Sequence, residues 1–196
     1  MKNRLNYWLE AKHPNLQIEG YEVKSLRDKN YNCVAWAAKE DREQWWEPRD
    51  EPGCFWPKSL PPLDDSFDRY VQLFELLGYN ICADSSLTPG FEKVAIYQHD
   101  DGGFTHVARQ LHTGAWISKL GPYEDIEHKT PDALNSEDYG VPTVYLQRRL
   151  SIWIKLGRLM TFLWFRLKNL RGQFGKFFLV VRENLTNNWR GFKLQT

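Results

Sequence analysis

The stretch from residue 93 to residue 120 constrains the fold more than any other part of this chain. Three largely apolar segments, 93–97, 104–111 and 115–120, are separated by the sequences Asp-Asp-Gly-Gly and His-Thr-Gly. Short turns that contain glycine connect neighbouring antiparallel strands. The stretch therefore predicts a three-stranded antiparallel meander.

Helical patterns precede the meander, and one further strand pattern follows it. A run of small apolar residues begins after Asn32, a residue type that caps helix N-termini. Apolar residues recur at spacings of three and four over 67–77, which predicts an amphipathic helix. A polar bend at 121–130 and a short helical turn then lead to a final strand at 142–147. Helices followed by an antiparallel sheet indicate an α+β fold.

Two further segments are expected to frame this core. Residues 1–30 are polar and mixed, and we expect them to cover one side of the core. Residues 45–62 hold three Trp and five of the ten Pro residues of the chain. Loops of this composition tend to line a groove or to hold a surface in place, so we expect one of these roles for the segment.

The cysteine count restricts the class of protein. Cys33, Cys54 and Cys82 are the three cysteines, and no Cys-x-x-C pair occurs among them. This pattern argues against a disulfide framework and against a zinc ribbon. The first residues are basic but lack the apolar stretch of a secretory signal. We therefore expect a cytoplasmic protein that needs neither a cofactor nor a metal.

Cys33 and His106 are the residues with the clearest chemical potential. Cys33 follows the predicted cap at the start of a helix, and His106 lies near the start of a predicted strand. A helix N-terminus and a nearby imidazolium both lower the pKa of a thiol, and the thiolate is the nucleophile. Asn32 could help to hold an oxyanion beside the Cys33 N–H. Alternatively, Cys33 is a small buried apolar residue, as free cysteines often are.

Six segments of the sequence carry a resemblance to a known family. They are NCVAWA at 32–37, WWEP at 45–48, GFEKVAIY at 90–97, THVARQL at 105–111, WISKLG at 116–121 and DIEH at 125–128. Together they resemble a bacterial domain family whose motif order is similar to NlpC/P60-like members of the papain-like thiol hydrolases. The resemblance implies a papain-like α+β domain over residues 1–148 that acts on a peptide, amide or ester. A catalytically inactive papain-fold binding module is the alternative.

The resemblance also assigns roles to individual residues. Cys33 would be the nucleophile and His106 the general base, and Cys33 would then react with iodoacetamide before the other two cysteines. Ser118 or His128 would orient the imidazole. Lys119 cannot accept an imidazole N–H bond, so it would bind an acidic group or pair with Glu92 or Asp125. The candidate residues for substrate or oxyanion binding are Asn32, Trp36, Trp46 and Lys119. A metal site of Cys33, His106 and His128 lacks a short ligand pair and is not expected.

The charge of the sequence changes sign after residue 147. From Arg148 onward it has eleven Lys and Arg and a single acidic residue, whereas residues 1–147 carry a net charge of −9. Apolar residues of 150–170 fall on one arc of a helical wheel, interrupted by basic residues too often for a membrane span. Residues 149–196 therefore predict a basic, amphipathic helical appendage. It would contact an anionic membrane surface peripherally or pack on a protein partner, and nucleic acid is the least favoured partner.

Overall fold

The computed structural model describes residues 4–39 and 44–150. The chain divides into two units after Arg149. The predicted appendage, from residue 151 onward, lies outside the described residues. The first unit has an α+β architecture with a largely antiparallel sheet and few helices.

A seven-stranded sheet forms the centre of the first unit. In chain order its strands are β1 (Tyr21–Val23), β4 (Asn80–Cys82), β5 (Phe91–Gln98), β6 (Phe104–Gln110), β7 (Trp116–Lys119), β8 (Asp125–His128) and β9 (Val141–Arg149). Their spatial order is β1-β8-β7-β6-β5-β9-β4, and all pairs of neighbours are antiparallel. Two short strands, β2 (Trp45–Trp46) and β3 (Cys54–Phe55), form a separate parallel pair.

The predicted meander is confirmed as β5, β6 and β7. The expectation of a polar bend over residues 121–130 is wrong in part, because Asp125–His128 forms β8 and pairs with β7 on one side and β1 on the other. The final strand is confirmed as β9, and it pairs with β5 rather than with β8. Strands β1 and β4 have three residues each and occupy the two edges of the sheet.

Four helices cover the two faces of the sheet. They are α1 (Arg4–Lys12), α2 (Pro14–Glu19), α3 (Cys33–Ala38) and α4 (Phe67–Leu76), and a 3₁₀ turn spans Pro131–Leu134. Helix α3 begins at the predicted position after Asn32, and α4 agrees with the predicted amphipathic helix. Helices α1 and α2 confirm that the N-terminal residues cover one side of the core.

The alternation of side chains in the strands creates two separate cores. On one face, Val94 and Ile96 pack with residues of α3 and α4. On the other face, Ala95 and Tyr97 pack with Leu9 of α1, with α2 and with the 3₁₀ turn. Successive strand residues point to opposite faces, so the two clusters share one sheet but not its side chains. We call these faces the α3–α4 face and the α1–α2 face.

Candidate functional site

Asn32 fixes the start of α3 and the loop that follows the helix. Its Oδ1 accepts hydrogen bonds from the backbone N–H of Ala35 at 3.0 Å and of Trp46 at 3.2 Å, and its Nδ2 donates to the Trp46 carbonyl at 3.0 Å. The side chain is 5% exposed. These three bonds engage both ends of the amide, so Asn32 holds the fold of this region.

The Cys33 thiol is in an environment that favours its neutral form. The backbone N–H groups of Val107, Cys33 and Val34 lie close to the sulfur and favour the thiolate. Burial opposes them and dominates, and the negative charge of Glu47 acts in the same direction as burial, so the pKa of Cys33 rises to about 11. The thiol is therefore protonated at neutral pH. This is the opposite of the lowered pKa that the sequence predicts.

The His106 side chain lies on the α1–α2 face, because His106 pairs in regular register with Tyr97 and alternates with Val107. The pairing with β5 goes from Tyr97 opposite His106 to Gln98 opposite Phe104, which leaves Thr105 as an extra residue. Beyond this bulge, Val107 packs in the same cluster as Cys33, on the α3–α4 face. The His106 ring lies on the α1–α2 face, where it stacks on Tyr139 at 4.4 Å and meets Tyr97 edge-on at 5.2 Å.

The expected pair of Cys33 and His106 is therefore not assembled. His106 is 1% exposed, and its Nε2 has no hydrogen-bond partner within the part of the chain that the structure describes. Burial, followed by the charges of His128 and His13, holds the pKa of His106 well below the usual value of 6.5. A neutral, enclosed imidazole on the other face of the sheet cannot take the proton of the Cys33 thiol in this arrangement.

Ser118 and His128 form a pair with each other instead of orienting His106. Nδ1–H of His128 donates to the Thr130 carbonyl at 2.7 Å, so Nε2 of the neutral ring accepts the hydroxyl of Ser118 at 2.9 Å. Both side chains are buried, and burial lowers the pKa of His128 to about 4. The Ser118 hydroxyl donates to His128, so the two residues bond to each other and not to His106.

Lys119 is enclosed by carbonyl oxygens. Its Nζ donates to the Asp28 carbonyl at 2.7 Å and to the Tyr123 carbonyl, and it lies 4.9 Å from the centre of the Tyr31 ring. Burial lowers the pKa of Lys119, and the charge of Asp125 counteracts this effect. The predicted pairing with Glu92 is wrong, because Lys39 and Arg148 form ion pairs with that carboxylate. Lys119 thus fastens the segment that precedes α3.

Trp36 and Trp46 serve packing. Trp46 is 6% exposed and its ring lies 4.7 Å from that of Phe55, which joins β2 to β3. The Arg109 guanidinium lies 4.5 Å from the Trp36 ring and donates to the Trp36 carbonyl at 3.1 Å. These contacts connect α3 to its neighbours in the fold.

An open cavity of about 380 Å³ lies on the α3–α4 side of the unit. Its walls come from the segment after β2, from the segment before α4 and from the start of β6. The lining residues are Glu47, Pro48, Arg49, Leu63, Asp65, Tyr70, Phe104 and Thr105. Three of them belong to the Trp- and Pro-rich segment, which agrees with the first of its two expected roles, the lining of a groove. The other lining residues were not predicted, because Asp65 lies among the polar residues before α4 and Phe104 is an ordinary strand residue.

Charged and aromatic groups meet in this cavity. The Tyr70 and Phe104 rings are stacked at 3.5 Å and nearly parallel. Glu47 Oε2 lies 2.9 Å from Nε of Arg49. Burial raises the pKa of Tyr70, and the negative charges of Glu47 and Asp65 raise it further. With two carboxylates and one guanidinium, the lining carries a net negative charge beside the aromatic rings.

A comparison with protein-family models gives one match, to a domain of unknown function, DUF7689, over residues 22–147. This region is more than half of the chain. The chain belongs to this family. Curated proteins and solved structures gave no significant match.

The DUF7689 region contains the cavity, Cys33 and His106 but begins after α2. In the part of the chain that the structure describes, no three His, Cys, Asp or Glu side chains are grouped so as to hold a metal ion. The same part contains no helix with the length and apolar character that a membrane crossing requires.

Proposed function

We propose that the DUF7689 domain is a non-catalytic, papain-like binding module, related to the NlpC/P60-like arrangement, that holds its ligand in the cavity beside β6. The observation that carries this proposal is the contrast between the cavity and the thiol. The cavity is open and lined by charged and aromatic groups, whereas Cys33 is buried and its pKa is raised to about 11. At this pKa only about one thiol in ten thousand is ionised at pH 7.

The lining favours a cationic ligand, such as a peptide segment with a lysine side chain. Glu47 and Asp65 supply negative charge, and the stacked rings of Tyr70 and Phe104 supply apolar surface for the carbon chain of the ligand. A volume of about 380 Å³ falls in the range of small-ligand sites and suits one or two side chains. Pro48 and Leu63 would contact the apolar part of the ligand.

Titration of the full chain with Nα-acetyl-lysine methylamide, followed by amide NMR, tests this proposal. We expect shifts at Glu47 and Thr105 with the lysine probe and no saturable shifts with the norleucine analogue, which has no charge. Glu47→Gln and Asp65→Asn should each weaken binding about fivefold to tenfold, because a carboxylate near a surface cation contributes about 1 kcal/mol.

Glu75→Gln provides the matched control for these variants. It removes an exposed carboxylate of α4 that does not line the cavity, so the affinity should not change. Equal binding of the lysine and norleucine probes, or equal losses in all three variants, would contradict a cation site in this cavity.

Thiol labelling distinguishes the proposed binding function from a thiol hydrolase activity. With iodoacetamide near neutral pH, we now expect Cys54 and Cys82 to react before Cys33, because both are partly exposed and Cys33 is buried. Mass spectrometry of the digested protein gives the order. Dominant labelling of Cys33 would overturn the proposal in favour of catalysis.

The charge pattern of the sequence supports a second role, in which residues 149–196 attach the protein to an anionic membrane surface. Ten basic residues with one acidic residue would attract anionic lipid, while residues 1–148 carry −8. Sedimentation with vesicles of phosphatidylserine and phosphatidylcholine tests this role. Replacing Lys155, Arg158, Arg166 and Lys168 by Gln should reduce binding, and unchanged binding at low salt would refute it.

A further inference from the structure

Helices α1 and α2 cover the α1–α2 face and lie outside the residues that match the family. We call residues 4–19 the N-terminal cover. Its apolar contacts come from Leu9 and Leu16, which are fully buried. Its polar contacts lead to the 3₁₀ turn and the segment around it: Asn15 donates to the Asp132 carbonyl at 2.9 Å, and Lys12 pairs with Asp138.

A histidine connects the cover to the sheet. His13 lies between α1 and α2, is 2% exposed, and donates through Nδ1 to the Leu134 carbonyl at 3.2 Å. Its ring is 4.9 Å from that of Tyr139, and the Tyr139 ring also contacts the His106 ring, at 4.4 Å. One tyrosine ring therefore contacts a histidine of the cover and a histidine of the sheet.

The residue that follows Tyr139 lies close to β5. Gly140 has a φ of 64°, and a Cβ at this position would lie 2.0 Å from the Gln98 carbonyl oxygen. Only glycine fits such a close approach of two backbones. The close approach therefore fixes the backbone next to Tyr139 against Gln98 of β5.

Three histidines lie beneath or within the cover, and all three are accommodated in their neutral forms. His106 has an Nε2 without a partner among the described residues, so a proton there would lack an acceptor. His128 is buried between Ser118 and Thr130. Burial is the main cause that lowers the pKa of each of the three.

The charged groups around these rings only partly offset the effect of burial. Asp138 favours and Lys12 disfavours a charge on His13. Glu127 favours a charge on His128. The groups that face His106 are the phenols of Tyr97 and Tyr139, both kept neutral by raised pKa values, and the other two histidines. A proton on any one ring disfavours a proton on the others while the cover is closed.

We propose that the N-terminal cover is a pH-responsive element, which separates from the sheet when the medium becomes mildly acidic while the α3–α4 face stays folded. Opening lets water reach the three rings, whose pKa values then return towards 6.5. The open state binds more protons, so lowering the pH below about 6.5 favours opening. At pH 5.5 each histidine favours opening by up to about tenfold. The α3–α4 core contains none of the three histidines.

Hydrogen exchange of the full chain at pH 7.5 and pH 5.5, corrected for the intrinsic effect of pH, tests this proposal. We expect amides of residues 4–19 to exchange about 100-fold faster at pH 5.5, while those of α4 stay protected. His13→Asn keeps a donor for the Leu134 carbonyl but cannot take up a proton, so the acceleration should fall about tenfold. His106→Phe should reduce it as well.

His112→Asn is the control, because His112 is an exposed histidine in the turn between β6 and β7. This variant should respond to pH as the unmodified chain does. Equal acceleration in α4 would show global acid unfolding and overturn the proposal. An unchanged response in His13→Asn would do the same, and this variant gives the answer even if His106→Phe does not fold.

Discussion

Reactive side chains have different surroundings on the two faces of the sheet. On the α3–α4 face, Cys33 is buried, and an open cavity on the same side is lined by the charged residues Glu47, Arg49 and Asp65. On the α1–α2 face, His13, His106 and His128 are enclosed with aromatic rings and carbonyl groups. The thiol and the imidazole that the sequence predicts as a pair therefore belong to different faces. The difference shows that the alternation of side chains along one strand can decide whether two candidate groups meet.

The largest expected effect is the loss of stability of the α1–α2 face in acid. Folding lowers the pKa of His128 from about 6.5 to about 4, so between these pH values the unfolded chain binds a proton that the folded chain does not. Stability should therefore be constant above pH 6.5 and fall as the pH decreases towards 4. His128 alone accounts for about 3 kcal/mol, at about 1.4 kcal/mol per pH unit.

Urea unfolding at a series of pH values measures this slope. His128→Asn retains a donor to the Thr130 carbonyl and should flatten the pH dependence, whereas the exposed His112→Asn should not change it. The same pH dependence in His128→Asn as in the unmodified chain would refute the assignment.

A smaller loss is expected from Asn32→Ala on the α3–α4 face. The change removes the cap of α3 and leaves both the N–H and the carbonyl of Trp46 without their buried partner. The expected cost is about 2 kcal/mol in the free energy of unfolding, independent of pH above 5. Asn32→Asp keeps the acceptor for both N–H groups and should cost less. Equal losses would mean that the bond to the Trp46 carbonyl contributes little.

Local chemistry explains the parts of the fold that could be predicted. The glycine turns set the meander, and the Asn32 side chain sets the start of α3, because each signal acts over a few residues. Strands β1 and β4 were missed because three residues show no clear period. Strand β8 was not predicted, because its sequence DIEH is charged and the strand forms through pairing with β7 and β1. The position of β9 beside β5 also depends on pairing between segments that are far apart in the sequence.

The candidate site was less predictable than the fold. Cys33 occupies the predicted helix start, but its pKa depends on the enclosure by other elements and on Glu47. The face on which His106 lies depends on the register of β6 with β5, and this register is set by the pairing of whole strands rather than by the residues next to His106. The cavity combines three segments that are far apart in the sequence. Only the aromatic and proline content of residues 45–62 indicated it.

A gain in stability is expected from His106→Phe. The phenyl ring can stack between Tyr97 and Tyr139 without the buried Nε2, which has no partner among the described residues. Removing a polar atom of this kind should stabilise the fold by about 1 kcal/mol. His13→Phe is the contrast, because it loses the bond to the Leu134 carbonyl and should destabilise it. A loss in both variants would indicate that Nε2 has a role in the folded chain.

The smallest effect is expected from a substitution of Cys33 on the α3–α4 face. If the thiol is a small apolar group of the α3–α4 core, Cys33→Ala should cost about 1 kcal/mol or less in the free energy of unfolding. The affinity for Nα-acetyl-lysine methylamide should not change, because Cys33 does not line the cavity. Val34→Ala, at the next position of the same helix, removes more buried carbon and should cost more. A larger loss of probe affinity in Cys33→Ala than in Val34→Ala would mean that the sulfur takes part in binding and that the thiol belongs to the binding site.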